Sequence, residues 1–224
     1  MAEKFNGELN LTTKELAQHL RKPKGEAGKG VGLQMNKGNK HICLNTYDLL
    51  NPNDGDAILE IGMGNGFFIK DLIEKADNIK YTGVDFSKTM VEEASTINNE
   101  FLKQGQVQFF EASIEKLPFE SDSFDSITTT NTLYFWPQPE LNIKELLRVL
   151  KPKGKLLIAY RSKDFMDQIE LSNYGFEKYE ASHVEAIFKN GGFNQVSTQI
   201  IEEPELDFDG TRYKMKGIYT MGEK

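Results

Sequence analysis

The sequence predicts an α/β fold: a mostly parallel sheet of seven strands with helices on both faces, the last strand antiparallel, behind an N-terminal helical segment. Three observations carry this. From Ala57 onward, short apolar runs alternate with stretches of helical spacing. Glycine, proline and asparagine punctuate the joins. The final two runs have no helical pattern between them, so they read as an antiparallel pair at the sheet edge.

The elements follow in order. Residues 12–21 form a short helix capped by Thr12 or Thr13 and ended by Pro23. Residues 24–32 hold four glycines and read as a loop. A second helix is expected over 39–50, then a turn at Asn51-Pro52-Asn53-Asp54-Gly55-Asp56. Strands are expected at 58–61, 79–84, 106–110, 124–129 and 155–160, with late strands at 195–201 and 213–221. Helices fall at 67–76, 89–102, 140–150 and 182–190. The sequence Lys151-Pro152-Lys153-Gly154 closes the third of these and Gly191-Gly192 stops the fourth. Two parts result: a helical lid segment, 1–44, and a domain of one sheet, 45–224.

Composition sets outer bounds. With 224 residues, 38% hydrophobic and 27% charged, the chain supports one sizeable core. No run approaches the ~18 apolar residues of a membrane span, so no membrane partner is expected. Residues 1–6 lack an apolar signal core, and the single cysteine, Cys43, excludes an internal disulfide framework; both point to the cytoplasm. A net charge of −7 disfavours general nucleic-acid binding. The charge is uneven, however. Residues 14–40 hold seven basic side chains against Glu15 and Glu26, a local charge of +5. That stretch reads either as a lid that attracts an anionic molecule or as a solvated loop.

The first strand leads into Glu60-Ile61-Gly62-Met63-Gly64-Asn65-Gly66. Glycines beyond the carboxyl end of a parallel strand let a ligand approach the backbone, and the next helix offers free N–H groups. The second strand ends at Asp85, placed where a carboxylate accepts hydrogen bonds from both ribose hydroxyls. Together these indicate a nucleoside-containing cofactor and a Rossmann-like sheet. A dinucleotide site prefers Gly-x-Gly-x-x-Gly, whereas here the third glycine comes one residue early. Glu60 would repel a pyrophosphate and suits a cationic ligand. S-adenosylmethionine, with its sulfonium and ammonium groups, meets that requirement.

Further pieces recur in a fixed order: Gly83-Val84-Asp85-Phe86-Ser87, Ile114-Glu115-Lys116-Leu117-Pro118-Phe119, Ser123-Phe124-Asp125-Ser126-Ile127, and Leu147-Arg148-Val149-Leu150-Lys151-Pro152-Lys153-Gly154. With the glycine turn, they resemble the class I S-adenosylmethionine-dependent methyltransferases, in the small-molecule branch that includes ubiquinone/menaquinone-biosynthesis enzymes. The resemblance covers roughly residues 45–221. It implies that Glu60, Gly62, Gly64 and Gly66 surround the methionine part of the cofactor, that Asp85 holds the ribose and that Phe86 lies beside the adenine. It places Ser113 and Ile114 at the adenine amino group, Ser113 standing where this branch often has Asp. Thr130 and Asn131 fall at the methyl-transfer cleft.

Methyl transfer from an activated sulfonium needs positioning first, and a base only where the nucleophile holds a tight proton. The catalytic candidates are Tyr134, favoured as cleft-facing, and His41 and His19 as bases in the lid. Phe135 and Trp136 divide between cleft and packing roles. Residues 162–181, with Phe165, Met166, Tyr174, Phe176 and Tyr179, read as an acceptor pocket, a homodimer contact or plain core. No His/Cys/Asp cluster has metal-ligand spacing, so no metal is expected. The expected activity is methylation of a small-molecule acceptor. Methylation of protein or RNA and a non-catalytic cofactor-binding module remain as alternatives.

Overall fold

The computed structural model describes residues 9–208 and 211–224. The N-terminal stretch read for a signal core, residues 1–6, lies outside them. Among the described residues nine strands form, seven of them in one sheet. These are β1 (Ala57–Ile61), β2 (Lys80–Asp85), β3 (Val107–Glu111), β4 (Phe124–Thr130), β5 (Leu150–Arg161), β6 (Asn194–Glu202) and β9 (Lys216–Glu223). Their order is β3-β2-β1-β4-β5-β9-β6. The pairs β1–β2, β1–β4, β2–β3 and β4–β5 are parallel. The last strand, β9, is antiparallel to both β5 and β6 and lies between them, so the expected antiparallel pair closes one edge. A small hairpin, β7 (Leu206–Phe208) and β8 (Thr211–Tyr213), falls within the stretch that showed no helical pattern.

The helices are α1 (Thr13–Arg21), α2 (Gly25–Leu50), α3 (Ile69–Ile73), α4 (Lys88–Ile97), α5 (Asn99–Lys103), α6 (Pro139–Val149), α7 (Lys163–Asp167) and α8 (Ala181–Gly191). Alternation along β1 separates two cores. Ile58 points to one face and packs with Ile42, Tyr47 and Leu50 of α2 and Leu72 of α3. Leu59 and Ile61 point to the other, among Ile143 and Leu146 of α6 and Ile187 and Phe188 of α8.

Three local expectations are corrected. The loop expected over 24–32 is helical: α2 runs unbroken for 26 residues. Two of its glycines, Gly28 and Gly30, serve close approach. A Cβ on Gly28 would lie 2.7 Å from the backbone carbon of Pro23, and one on Gly30 would lie 2.5 Å from Leu9. Gly28→Ala should therefore cost about 1–3 kcal/mol, the usual range for overpacking. Urea titration checks this, and a loss below about 0.5 kcal/mol would mean that the α1–α2 turn yields easily. The helix expected over 89–102 is broken, because Asn98 turns its side-chain amide onto the carbonyls of Gly66 and Ala94, 3.0 Å from each. Finally, Lys151–Gly154 does not form a separate turn. β5 already starts at Leu150, and the irregularity appears as a register shift with Lys153 at φ +66°.

Candidate active site

Beyond the carboxyl ends of β1, β2 and β4 lies a cavity of about 280 Å³. The glycine turn forms its floor. Gly62 and Gly64 sit at φ +69° and +58°, backbone that side chains adopt rarely. A Cβ on Gly64 would meet nothing and project into open space, while one on Gly62 would lie 2.3 Å from Thr132. Gly66 does not line the cavity. Its missing side chain makes room for Ile69 and Asn98, so the third glycine serves packing.

Two buried carboxylates face this cavity. Glu60, 4% exposed, accepts hydrogen bonds from Tyr47 Oη at 3.1 Å and Tyr81 Oη at 2.8 Å. Burial pushes its carboxyl up to about 7, against the lowering effect of the two hydroxyls. Asp85 accepts from the backbone N–H of Ser87 at 2.8 Å and of Gly64 at 3.1 Å. Burial pushes it up to about 6, against those bonds and the charge of Lys22. Each carboxylate therefore keeps lone pairs and an electrostatic need that a ligand could meet. Phe86 also lines the cavity, with Lys22 Nζ 5.0 Å from its ring centroid. Ser113 and Ile114 follow β3 at the wall. The Ser113 hydroxyl donates to Glu115 at 3.0 Å, so Glu115, which the sequence reading passed over, brings a carboxylate to that wall.

The roof comes from α1 and α2. His19, Val31, Met35 and Asn39 line the cavity, and Gly25 N–H donates to Thr89 at 3.1 Å, while Lys29 pairs with Glu93 at 3.3 Å. His19 Nδ1 accepts from Lys24 N–H. His41 is exposed on α2 and lines no cavity described here.

A second cavity, of about 220 Å³, adjoins the first and shares Leu20, Met35, Asn39, Asn131 and Phe135 with it. Its walls are mainly apolar: Met35, Phe165, Met166, Phe176 and Met215. Tyr134 lines this second cavity rather than the first. Its hydroxyl donates to Asn131 at 2.9 Å and accepts from Arg161 N–H, and burial holds it protonated well above its ordinary range. Thr130 and Asn131, at the end of β4, line the first cavity, where Asn131 sits at φ +56°. Trp136 lines the first as well, with its indole N–H on Thr132 at 3.1 Å. Among the described residues no group of His, Cys, Asp and Glu side chains could hold a metal ion, and no helix is long and apolar enough to cross a membrane.

Residues 59–158 match the family model described as a methyltransferase domain. That stretch is 100 of the 224 residues and holds the glycine turn, Asp85 and β4. Over 170 residues the chain is 27% identical to an uncharacterized methyltransferase of Bacillus subtilis, YdaC, covering 75% of this chain and 89% of that one. Over 116 residues it is 34% identical to the ubiquinone/menaquinone biosynthesis C-methyltransferase UbiE of Rickettsia massiliae, covering 50% of this chain and 47% of that enzyme. The chain thus spans about half of that biosynthetic relative. An S-adenosylmethionine-dependent methyltransferase from Aquifex aeolicus superposes with a TM-score of 0.63 at 21% identity, over 88% of this chain and 99% of that one. The seven-stranded, mostly parallel sheet with an antiparallel last strand is the one expected from the sequence.

Proposed function

We propose that the first cavity holds the methyl donor and the second a small-molecule acceptor. The observation that carries this reading is the meeting of a carboxylate-lined cavity with an apolar one at Asn39, Asn131 and Phe135. The residues present fit S-adenosylmethionine. Glu60 supplies a desolvated negative charge for its cationic end, Gly64 leaves the space a Cβ would fill, and the free lone pairs of Asp85 accept ribose hydroxyls. Phe86 and Glu115 serve the adenine, as its packing face and an acceptor for its amino group. When bound, the donor supplies an electrophilic methyl on a positive sulfur, which keeps the bonding electron pair as the methyl leaves. The chain's part is to hold the acceptor in line and exclude water, through Met35, Phe135 and the two asparagines.

A mainly apolar cavity of about 220 Å³ suits a small molecule better than RNA on an acidic chain. The relative named for ubiquinone and menaquinone biosynthesis points the same way. Residues 1–44 act in this reading as a lid, and the cytoplasm is its setting, consistent with a single buried thiol.

Calorimetry with S-adenosylmethionine tests the donor assignment. Asp85→Ala should weaken binding at least tenfold, since a hydrogen bond to a charged group contributes about 1.5–3 kcal/mol. Unchanged affinity would remove Asp85 from the ribose site. Labelled donor incubated with a metabolite extract should mark a small molecule. Label appearing only in RNA or protein pools would overturn the acceptor assignment.

A further inference from the structure

The second cavity carries more information than its size. Only two charged side chains line it among the described residues, Arg161 and Glu170. Glu170 is exposed at the rim. Arg161 is 4% exposed, and its guanidinium donates to Glu203 at 2.6 Å and to the Gly38 carbonyl at 3.3 Å. The Glu203 side chain is equally buried, at 3% exposure. The interior of the cavity is therefore electrically balanced before any ligand enters. A carboxylate or ammonium ligand would be desolvated there without gaining a counter-charge.

Two asparagines stand at the wall shared with the first cavity. Asn131 Nδ2 donates to Asn39 Oδ1 at 3.0 Å, and Asn131 Oδ1 is already taken by the Tyr134 hydroxyl. Besides the second lone pair of each oxygen, the pair offers a ligand N–H: the Asn39 amide and the second hydrogen of Asn131 Nδ2. Both residues border the donor cavity as well.

Resting on the two-cavity reading above, we propose that the acceptor is a neutral, largely apolar molecule with one oxygen at its polar end. Asn39 and Asn131 hold that oxygen by its lone pairs at the wall shared with the donor. The Arg161–Glu203 pair sets the preference for a neutral ligand. Asn39 comes from α2, so that helix supplies half of the acceptor's polar contact. Asn39 is a specificity-determining residue in this arrangement.

Naphthalene probes of one shape and different charge test the proposal on the full chain saturated with S-adenosylhomocysteine. 1-Naphthol should bind at least about tenfold more tightly than 1-naphthoate or 1-naphthylmethylammonium, the penalty for an uncompensated buried charge. On the chain saturated with S-adenosylhomocysteine, Asn39→Leu should weaken 1-naphthol by about fivefold or more, the loss of one hydrogen bond. Glu203→Gln frees the guanidinium and should reverse the preference towards 1-naphthoate. Equal binding of the three probes by the natural chain overturns the proposal. So does a folded Glu203→Gln variant that still prefers 1-naphthol. Should that variant not fold, the probe series and Asn39→Leu decide alone. If S-adenosylhomocysteine does not bind, the donor assignment fails and the series is run without it. If it binds and 1-naphthol does not, only this inference falls.

Discussion

Glu60→Gln is expected to stabilise the unliganded protein at pH 8 and to cripple donor binding. The carboxyl of Glu60 is raised from 4.5 to about 7 by burial. From pH 4.5 to 7 the folded chain keeps a proton that the unfolded chain has lost. Stability therefore falls as pH rises through that window, and above it the buried charge is a standing cost. At 1.36 kcal/mol per unit the cost is about 3 kcal/mol at most. Glutamine removes the charge but keeps only one acceptor oxygen for the Tyr47 and Tyr81 hydroxyls, so the net gain should be about 1–2 kcal/mol. In a chain of this size that raises Tm by roughly 2–8 °C. Donor affinity should move the other way, falling ten- to a hundredfold with the loss of a charged partner. The natural chain should show the same linkage. Its donor affinity weakens as pH drops through the values near 7 and 6 of Glu60 and Asp85, and protons are released on binding near neutrality. Thermal melts and calorimetry at pH 6 and 8 check both halves. A variant that is less stable at pH 8 and binds the donor normally would make Glu60 a structural residue.

What the sequence shows of this site is what lies close along the chain. The glycine turn, Asp85, Ser113 and Asn131 each follow a strand end, and strand ends are legible from apolar periodicity. The partners that give those residues their properties are distant. Tyr81 reaches Glu60 because β1 and β2 pair with Glu60 beside Gly83, which puts Tyr81 on the same face one step away. Tyr47 arrives from a helix whose first half was obscured by its glycines, since glycine reads as a helix breaker unless the neighbour that needs its small size is known. Asn39 falls inside the helix expected over 39–50, but its partner Asn131 lies 92 positions away. The Arg161–Glu203 pair spans 42 positions, and the small hairpin beyond Glu203 lacks strand-like periodicity. His41 shows the opposite failure. Its residue type invited a catalytic role, but its place on the helix turns it outward.

The same ion pair should give the largest stability effect in the molecule. Arg161 ends β5, and it joins three elements: its backbone N–H meets Tyr134, and its guanidinium reaches Gly38 on α2 and Glu203 beyond β6. Arg161→Met leaves the Glu203 carboxylate buried with no cation beside it, and such a loss costs about 3–5 kcal/mol. Tm should drop by roughly 6–20 °C. Removing the partner as well changes the outcome. In Arg161→Met with Glu203→Leu no charge is left buried, and two apolar side chains extend the Met166 and Met215 walls. Most of the lost stability should return, because an ion pair at this depth gains little over well-packed apolar groups. A double-mutant cycle by urea unfolding measures the coupling, expected at about 2–3 kcal/mol. If Arg161→Met costs under about 1 kcal/mol, water must reach Glu203 and the pair is not sealed. A double variant as unstable as the sum of the single ones would mean that the Gly38 and Tyr134 contacts of Arg161, not its charge, hold the lid to the sheet.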